Sequence, residues 1–354
     1  MAKPKVKILS IDGGGIRGIL PCAVLTEIER LTGKPVSKLF DLMAGTSTGG
    51  IIACGLSVPD PKNPARARFS AAEIGDIYTQ QGDKIFLKKG GVVSGVFDEA
   101  YSHKGLEELL QQYLGDLELG QTLTEILITS YDIEQRKPFY FLSRLARQYP
   151  ETENFLLRDL VRATSAAPTY FEPKHIEWQQ APVLSLIDGG VFANNPSMLA
   201  YTEGLEMLRR RQAKNKKTTS PPAMQAVSRG SAPVTLSSAR RSNDIFMLSL
   251  GTGQVTKPYL YKNAKSWGLV EWLRPCIDIL MQGVSESVHY QMQYVLPPGK
   301  DGTAYYMRLN AEIPEKHSEM ADASRKNTEA LKAIAQEMVA KEKYWIEAIC
   351  EMLV

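Results

Sequence analysis

Gly45-Thr-Ser-Thr-Gly49 stands between an apolar run, Leu39 to Ala44, and a run of small residues from Thr48 to about Leu56. The first reads as a short strand and the second as a helix. A strand that turns straight into a helix presses backbone against backbone, so the flanking positions must be small, and Gly45 and Gly49 meet that need. Such a turn holds its central side chain, Ser47, exposed at a helix N-terminus, where the dipole and free N–H groups favour developing negative charge. The plain alternative is a small-residue turn capped by Thr46 or Ser47, because the bare G-x-S-x-G pattern is common. The rest of the chain has to decide between them.

Apolar strands and amphipathic helices alternate along the sequence. Val6 to Ile11 reads as a buried strand, and Ile19 to Thr32 as a helix with Leu20, Val24, Leu25, Ile28 and Leu31 on one face and Gly33 as its stop. Helices are predicted over 71–86, 105–114, 156–167 and 196–211. Strands are predicted over 127–131, 139–142, 183–187, 245–250 and 305–309, with Pro59 to Pro64 as a loop. A helical span from Trp267 to Gln291 breaks near Pro275, and an amphipathic helix closes the chain at about 327–353. This alternation predicts an α/β fold, a mostly parallel central sheet covered by helices on both faces. With 354 residues, 44% apolar and 23% charged, one domain accommodates the whole chain. The basic, Ser/Pro-rich stretch at about 209–243 reads as an insertion between core elements.

Three further features bear on chemistry. Asp12-Gly-Gly-Gly-Ile-Arg-Gly18 follows the first strand. Successive glycines let N–H groups converge on one point, as an oxyanion requires. This makes Gly13, Gly14, Gly15 and Gly18 candidates, with Arg17 adding a positive charge. Gly13, Gly15 and Gly18 also fit the dinucleotide fingerprint G-x-G-x-x-G, a rival reading that would make the chain a nucleotide-binding protein without hydrolase activity. That fingerprint expects an acidic residue at the end of the second strand, whereas Asp41 precedes the strand end and leads into the Ser47 turn. The second feature is Asp188-Gly-Gly190 at a predicted strand end, followed by Asn194-Asn-Pro196. A serine nucleophile needs a base within reach. Of the histidines, His103, His175, His289 and His317, none sits at such a strand end, and Asp188 does. A carboxylate can take the serine proton if its surroundings are dry enough to raise its basicity. The bland reading of Asp188 is an Asp-Gly turn. The third feature is negative: the four cysteines are scattered, so no metal site or disulfide framework is expected.

Asp12-Gly-Gly-Gly-Ile-Arg-Gly18, Gly45-Thr-Ser-Thr-Gly49, Arg162-Ala-Thr-Ser-Ala-Ala-Pro168-Thr-Tyr-Phe171 and Asp188-Gly-Gly190 occur in the order seen in the patatin-like phospholipases, which the chain resembles from about Val6 to Pro196. Ser249-Leu-Gly-Thr-Gly253 continues the match. The resemblance implies a three-layer α/β/α fold and a catalytic dyad of Ser47 and Asp188 without histidine. It implies an oxyanion hole from the Gly13–Gly18 loop, no cofactor, and lipid acyl esters, membrane phospholipids among them, as substrate. In size the chain resembles the short bacterial members of the family that a cyclic dinucleotide switches on in antiphage defence.

Formal net charge is +3, so overall charge names no partner, and no nucleic acid polymer is expected. Between Leu208 and Asn243 there is no acidic residue, while Arg209, Arg210, Arg211, Lys214, Lys216, Lys217, Arg229, Arg240 and Arg241 are basic. The segment reads as a solvated insertion, a contact for anionic lipid, or a grip for an activating nucleotide. Trp267, Leu269, Trp272, Leu273, Ile277, Leu280 and Met281 form an apolar set at helical spacing, which reads first as core and second as a lid or an acyl-tunnel wall. With no signal-peptide pattern and no spanning run, a cytoplasmic protein acting at the inner membrane surface is expected.

Overall fold

The computed structural model describes residues 3–87, 101–215, 244–256 and 258–354. Its main sheet contains strands β1 (Val6–Ile11), β2 (Leu42–Gly45), β3 (Glu125–Asp132), β4 (Lys137–Leu142), β5 (Lys174–Ile176), β6 (Leu184–Asp188), β7 (Ile245–Leu250) and β8 (Tyr306–Leu309). The order is β8-β7-β1-β2-β3-β6-β5, with β4 on the far edge of β3. From β8 to β3 all neighbours are parallel. Helices α1 (Ile19–Thr32), α2 (Thr48–Gly55), α3 (Ala71–Ile85), α4 (His103–Leu114), α5 (Leu157–Thr164), α6 (Ser197–Asn215), α7 (Leu269–Val295), α8 (Arg325–Lys341) and α9 (Lys343–Leu353) cover the sheet.

Side-chain alternation divides the apolar interior in two. Leu9, Ile11, Met43, Ile128 and Leu248 point toward α1, α3, α4, α5, α8 and α9. Val6, Ile8, Leu42, Ala44 and Met247 point the other way, toward Ala200, Met207 and Leu208 of α6 and Met292 of α7. The result is the expected three-layer α/β/α arrangement, its central strands buried on both faces.

Strand β6 departs from the parallel pattern. It pairs antiparallel with β3, Ser130 opposite Asp188, while β2 pairs parallel with the same strand, Ile128 opposite Gly45. Because β4 occupies the other edge over Leu127–Asp132, β2 and β6 share one edge of β3 and meet end to end. Their C-termini, the strand ends that carry Ser47 and Asp188, are thereby brought to the same place.

Several local expectations are corrected. Pro59–Asp60 and Asn63–Ala67 form a small antiparallel hairpin in place of a loop. Helix α7 runs through Pro275 without a break. The closing helix is two helices, α8 and α9, divided at Glu342. Helix α6 continues to Asn215, so Arg209, Arg210 and Arg211 are helical. Arg209 pairs with Glu206 at 2.7 Å, Arg210 with Glu203 at 3.3 Å and Arg211 with Asp41 at 2.7 Å. They are tied to carboxylates and do not begin a free basic loop; residues 216–243 lie outside the described residues.

Candidate active site

Ser47 sits between β2 and α2 with φ 54 and ψ −122, a conformation that L side chains rarely adopt. Packing imposes it. A Cβ on Gly45 would lie 2.2 Å from the Gly49 carbonyl oxygen, and one on Gly49 would lie 2.2 Å from that of Ile11. The neighbouring threonines lock the turn from both sides. Thr46 Oγ1 donates to the Ala193 carbonyl at 2.6 Å, and Thr48 Oγ1 bonds the Tyr78 hydroxyl at 2.6 Å. The Ser47 N–H donates to Thr164 Oγ1 at 2.9 Å, which ties the turn to α5.

Asp188, at the end of β6, is buried. Its Oδ1 accepts the Gly190 N–H at 2.7 Å, and its own N–H donates to Ala166 O at 3.0 Å. Oδ2 is buried with no hydrogen-bond partner. Burial pushes the carboxyl up to about 7, against the opposing effects of the Ser47 hydroxyl and the Gly190 N–H. The Ser47 hydroxyl thus acts on the carboxyl without completing a hydrogen bond to Oδ2.

The glycine loop lies across from this pair, but its N–H groups are unequally available. Gly13 donates to Asn194 O at 3.1 Å, Ile16 to Met320 O at 2.8 Å and Arg17 to Gly14 O at 3.3 Å. Among the described residues, the N–H groups of Gly14, Gly15 and Thr48 have no such acceptor, and all three residues line one pocket with Ser47 and Asp188. Arg17 is half-buried, and its Nε donates back to Gly14 O at 3.2 Å. Its guanidinium therefore braces the loop. Gly18 is buried at the start of α1, where a Cβ would lie 2.6 Å from Thr48 Oγ1.

Two anchors of this loop were given no role by the sequence pattern. Arg308 of β8 grips Asp12 through two hydrogen bonds, Nη2–Oδ2 at 2.6 Å and Nη1–Oδ1 at 3.2 Å, with both side chains nearly fully buried. Asn194 donates through Nδ2 to Ser285 of α7 at 3.0 Å, and its Oδ1 is buried without a partner. Asn194 followed Asp188-Gly-Gly190 closely enough to be noticed; nothing local marks Arg308, 296 residues from its partner.

The pocket holds about 530 Å³ of empty space, partly open to solvent, and beyond Ser47 and Asp188 it is walled by Ile51, Phe86, Leu106, Phe171, Met281 and other apolar side chains. A second cavity of about 380 Å³ shares Ile51, Ile85 and Leu106 with it and continues between α2, α3 and α4 past Ile74, Leu109 and Leu110. Arg162, from the Arg162–Phe171 motif, is fully buried beneath the loop that supplies Tyr170 and Phe171. It donates to Glu172 O at 3.0 Å and lies 5.7 Å from the Phe171 ring centroid. None of the four histidines lines the pocket. Asp41, the acidic residue of the rival dinucleotide reading, accepts the Lys7 N–H at 2.8 Å and pairs with Arg211, away from the glycine loop.

The chain is similar to known proteins. The family model described as patatin-like phospholipase matches residues 9–201. Patatin-like protein 2 of Arabidopsis thaliana is 32% identical, covering 95% of this chain and 83% of that one. Patatin-17 of Solanum cardiophyllum is 29% identical over 95% and 84%. Among solved structures, VipD from Legionella pneumophila is similar over 96% of this chain and 67% of that one, at a TM-score of 0.41 and 12% identity. The match over residues 9–201, more than half of the chain, together with the 32% identity to the Arabidopsis relative, makes the protein a member of the patatin-like phospholipase family of lipid acyl hydrolases.

Proposed function

We propose that the protein hydrolyses phospholipid acyl esters with Ser47 as nucleophile and Asp188 as its base. The observation that carries this reading is a buried carboxylate, basic enough to accept a proton near neutrality, beside a serine held at positive φ at the head of an apolar cavity. As Ser47 Oγ bonds to the ester carbonyl carbon, its proton passes to Asp188. The carbonyl oxygen becomes an oxyanion, which accepts hydrogen bonds from the free N–H groups of Gly14, Gly15 and Thr48. Collapse breaks the C–O bond, and the leaving alcohol takes the proton back from Asp188. Water then attacks the acyl-serine carbon, giving its proton to Asp188; the acyl–Oγ bond breaks, Ser47 Oγ takes that proton back, and the fatty acid leaves. The adjoining cavity between α2, α3 and α4 suits the acyl chain, since its lining is almost wholly apolar.

Of the residues expected at the oxyanion, this reading keeps Gly14 and Gly15 as donors and adds Thr48. Gly13, Arg17 and Gly18 shape the loop, with Gly45 and Gly49 shaping the elbow. The narrower expectation of a cyclic-dinucleotide-activated antiphage effector is not carried forward. The two relatives named above are plant proteins, and most of the basic segment assigned to such an activator lies outside the described residues.

Labelling with a fluorophosphonate, followed by release of fatty acid from phospholipid, tests the reading. The native chain is expected to label and turn over. Folded Ser47→Ala should do neither, and Asp188→Asn should lose at least about 10⁴-fold in turnover, with the double variant little worse. Fatty-acid release by folded Ser47→Ala at the native rate would refute the assignment.

A further inference from the structure

Helix α7 has two unlike faces. Its inner face reaches the active site: Met281 forms part of the pocket wall, Ser285 accepts from Asn194, and the Asp278 carboxylate supports the charge on Arg17. Its outer face carries Leu269, Trp272, Ile279, Leu280, Tyr290 and Tyr294, all exposed, with Leu269 at 87% and Leu280 at 49%. These positions recur at helical spacing, and every described exposed residue from Trp272 to Tyr294 is uncharged. An outer stripe of this kind on a helix of 27 residues is not how a solvated helix is built. The sequence expectation that the Trp267–Met281 set belongs to the core is thus corrected for Leu269, Trp272 and Leu280. Just upstream, Leu260 and Tyr261 are exposed as well, beside the exposed lysines Lys262 and Lys265.

We propose that this outer face of α7, with Leu260 to Lys265 at its N-terminal end, is where the protein docks on an anionic phospholipid bilayer. The inference rests on the reading of the pocket as a lipid acyl hydrolase site. Two observations favour a bilayer over a second copy of the chain. Met281 is partly exposed while lining the pocket, so the pocket wall comes to the surface along this helix, where a bilayer supplies substrate directly. The chemistry is also that of a membrane interface: aromatic rings and leucines that enter the headgroup–acyl boundary, with lysines at the rim for anionic headgroups. The same helix holds Asn194 and faces Arg17, so docking bears on the element that braces the catalytic loop.

Cys276 lies on this outer face and is the one exposed cysteine of the four. The full chain, labelled there with an environment-sensitive dye, is mixed with phosphatidylcholine vesicles with and without phosphatidylglycerol. A blue shift with the anionic vesicles, and quenching by brominated acyl chains, is expected; no shift while the protein co-sediments with vesicles would overturn the proposal. Unlabelled Leu269→Ser/Leu280→Ser protein should lose about a hundredfold in vesicle affinity and vesicle hydrolysis, since each buried leucine contributes about a tenfold factor or more. It should keep turnover of a soluble short-chain ester within about twofold. Vesicle binding equal to the native chain, or a native dimer in solution that this variant disperses, would overturn the docking surface. Loss of short-chain turnover in the native chain itself would instead refute the hydrolase reading.

Discussion

A carboxyl raised to about 7 works against the fold it serves. Between about pH 4, where the unfolded side chain releases its proton, and pH 7, where the folded one does, the folded state holds the extra proton. Stability therefore falls as pH rises through that window, by about 1.4 kcal/mol for each pH unit crossed, and levels off above it. Asp188→Asn removes the titration. It is expected to be more stable than the native chain at pH 8 by a few kcal/mol and similar at pH 4, as denaturant titrations at both values would read. The free-enzyme activity of the native protein should rise with pH to a plateau, with its midpoint near 7, because in the proposed mechanism only the Asp188 carboxylate accepts the Ser47 proton. A flat kcat/KM between pH 5.5 and 8.5 would contradict Asp188 as base. Ser47 carries the second cost, its backbone at φ 54. Ser47→Gly should exceed Ser47→Ala in stability by about 1–3 kcal/mol, because glycine alone adopts this conformation without strain. Equal melting temperatures would show that the turn is relaxed.

At the level of strands and helices, the site is a meeting of element ends. Strand β2 delivers Ser47, β6 delivers Asp188, β1 delivers the glycine loop, and α7 braces Asn194. The buried Asp12–Arg308 pair anchors that loop to β8, and Asp12 in turn holds the Arg308 guanidinium firmly in its charged form. Removing one partner of such a pair leaves an uncompensated buried charge. Arg308→Met is thus expected to cost about 3–5 kcal/mol, with much of it recovered in Asp12→Asn/Arg308→Met. In the fraction that folds, turnover should fall more than substrate affinity, since the oxyanion donors proposed for this loop act in the transition state. Chemical denaturation together with a kcat and KM comparison checks both; an Arg308→Met protein as stable as the native one would remove the anchor role.

For the molecule as a whole, charge and apolar surface are distributed otherwise than composition suggests. Arg210 of α6 reaches Glu203 at 3.3 Å and Glu125 of β3 at 3.7 Å, and Arg144 pairs with Glu203 at 2.8 Å. This network fastens a helix to the sheet. Its members are partly exposed and so partly screened, which keeps the contribution of each pair modest. Arg210→Gln is expected to lower stability by about 1 kcal/mol and to leave binding to anionic vesicles unchanged. Thermal unfolding and vesicle co-sedimentation read these separately, and a loss of vesicle binding without loss of stability would return Arg210 to a lipid-contact role. None of the described helices is long and apolar enough to cross a membrane.

The alternation of strands and helices, the Ser47 turn and the Asp188 strand end were all legible in the chain, because each is written in short-range chemistry: apolar period, glycine where backbones touch, a carboxylate at a strand terminus. Helix α1 begins and ends where its apolar face and Gly33 place it. What local pattern does not carry is strand direction. Nothing in Leu184–Asp188 says that it runs antiparallel to β3 and meets β2 end to end, and that pairing alone brings Asp188 to Ser47. The same holds for Arg308, whose partner is 296 residues away, and for the free donors of the glycine loop, which depend on where Asn194 and Met320 come to rest. It holds for Leu269 and Trp272, too, whose helical spacing is the same whether the face is buried or open. Period selects an element and its apolar face. Only tertiary packing decides what that face meets, because burial and hydrogen-bond pairing are properties of neighbours remote along the chain.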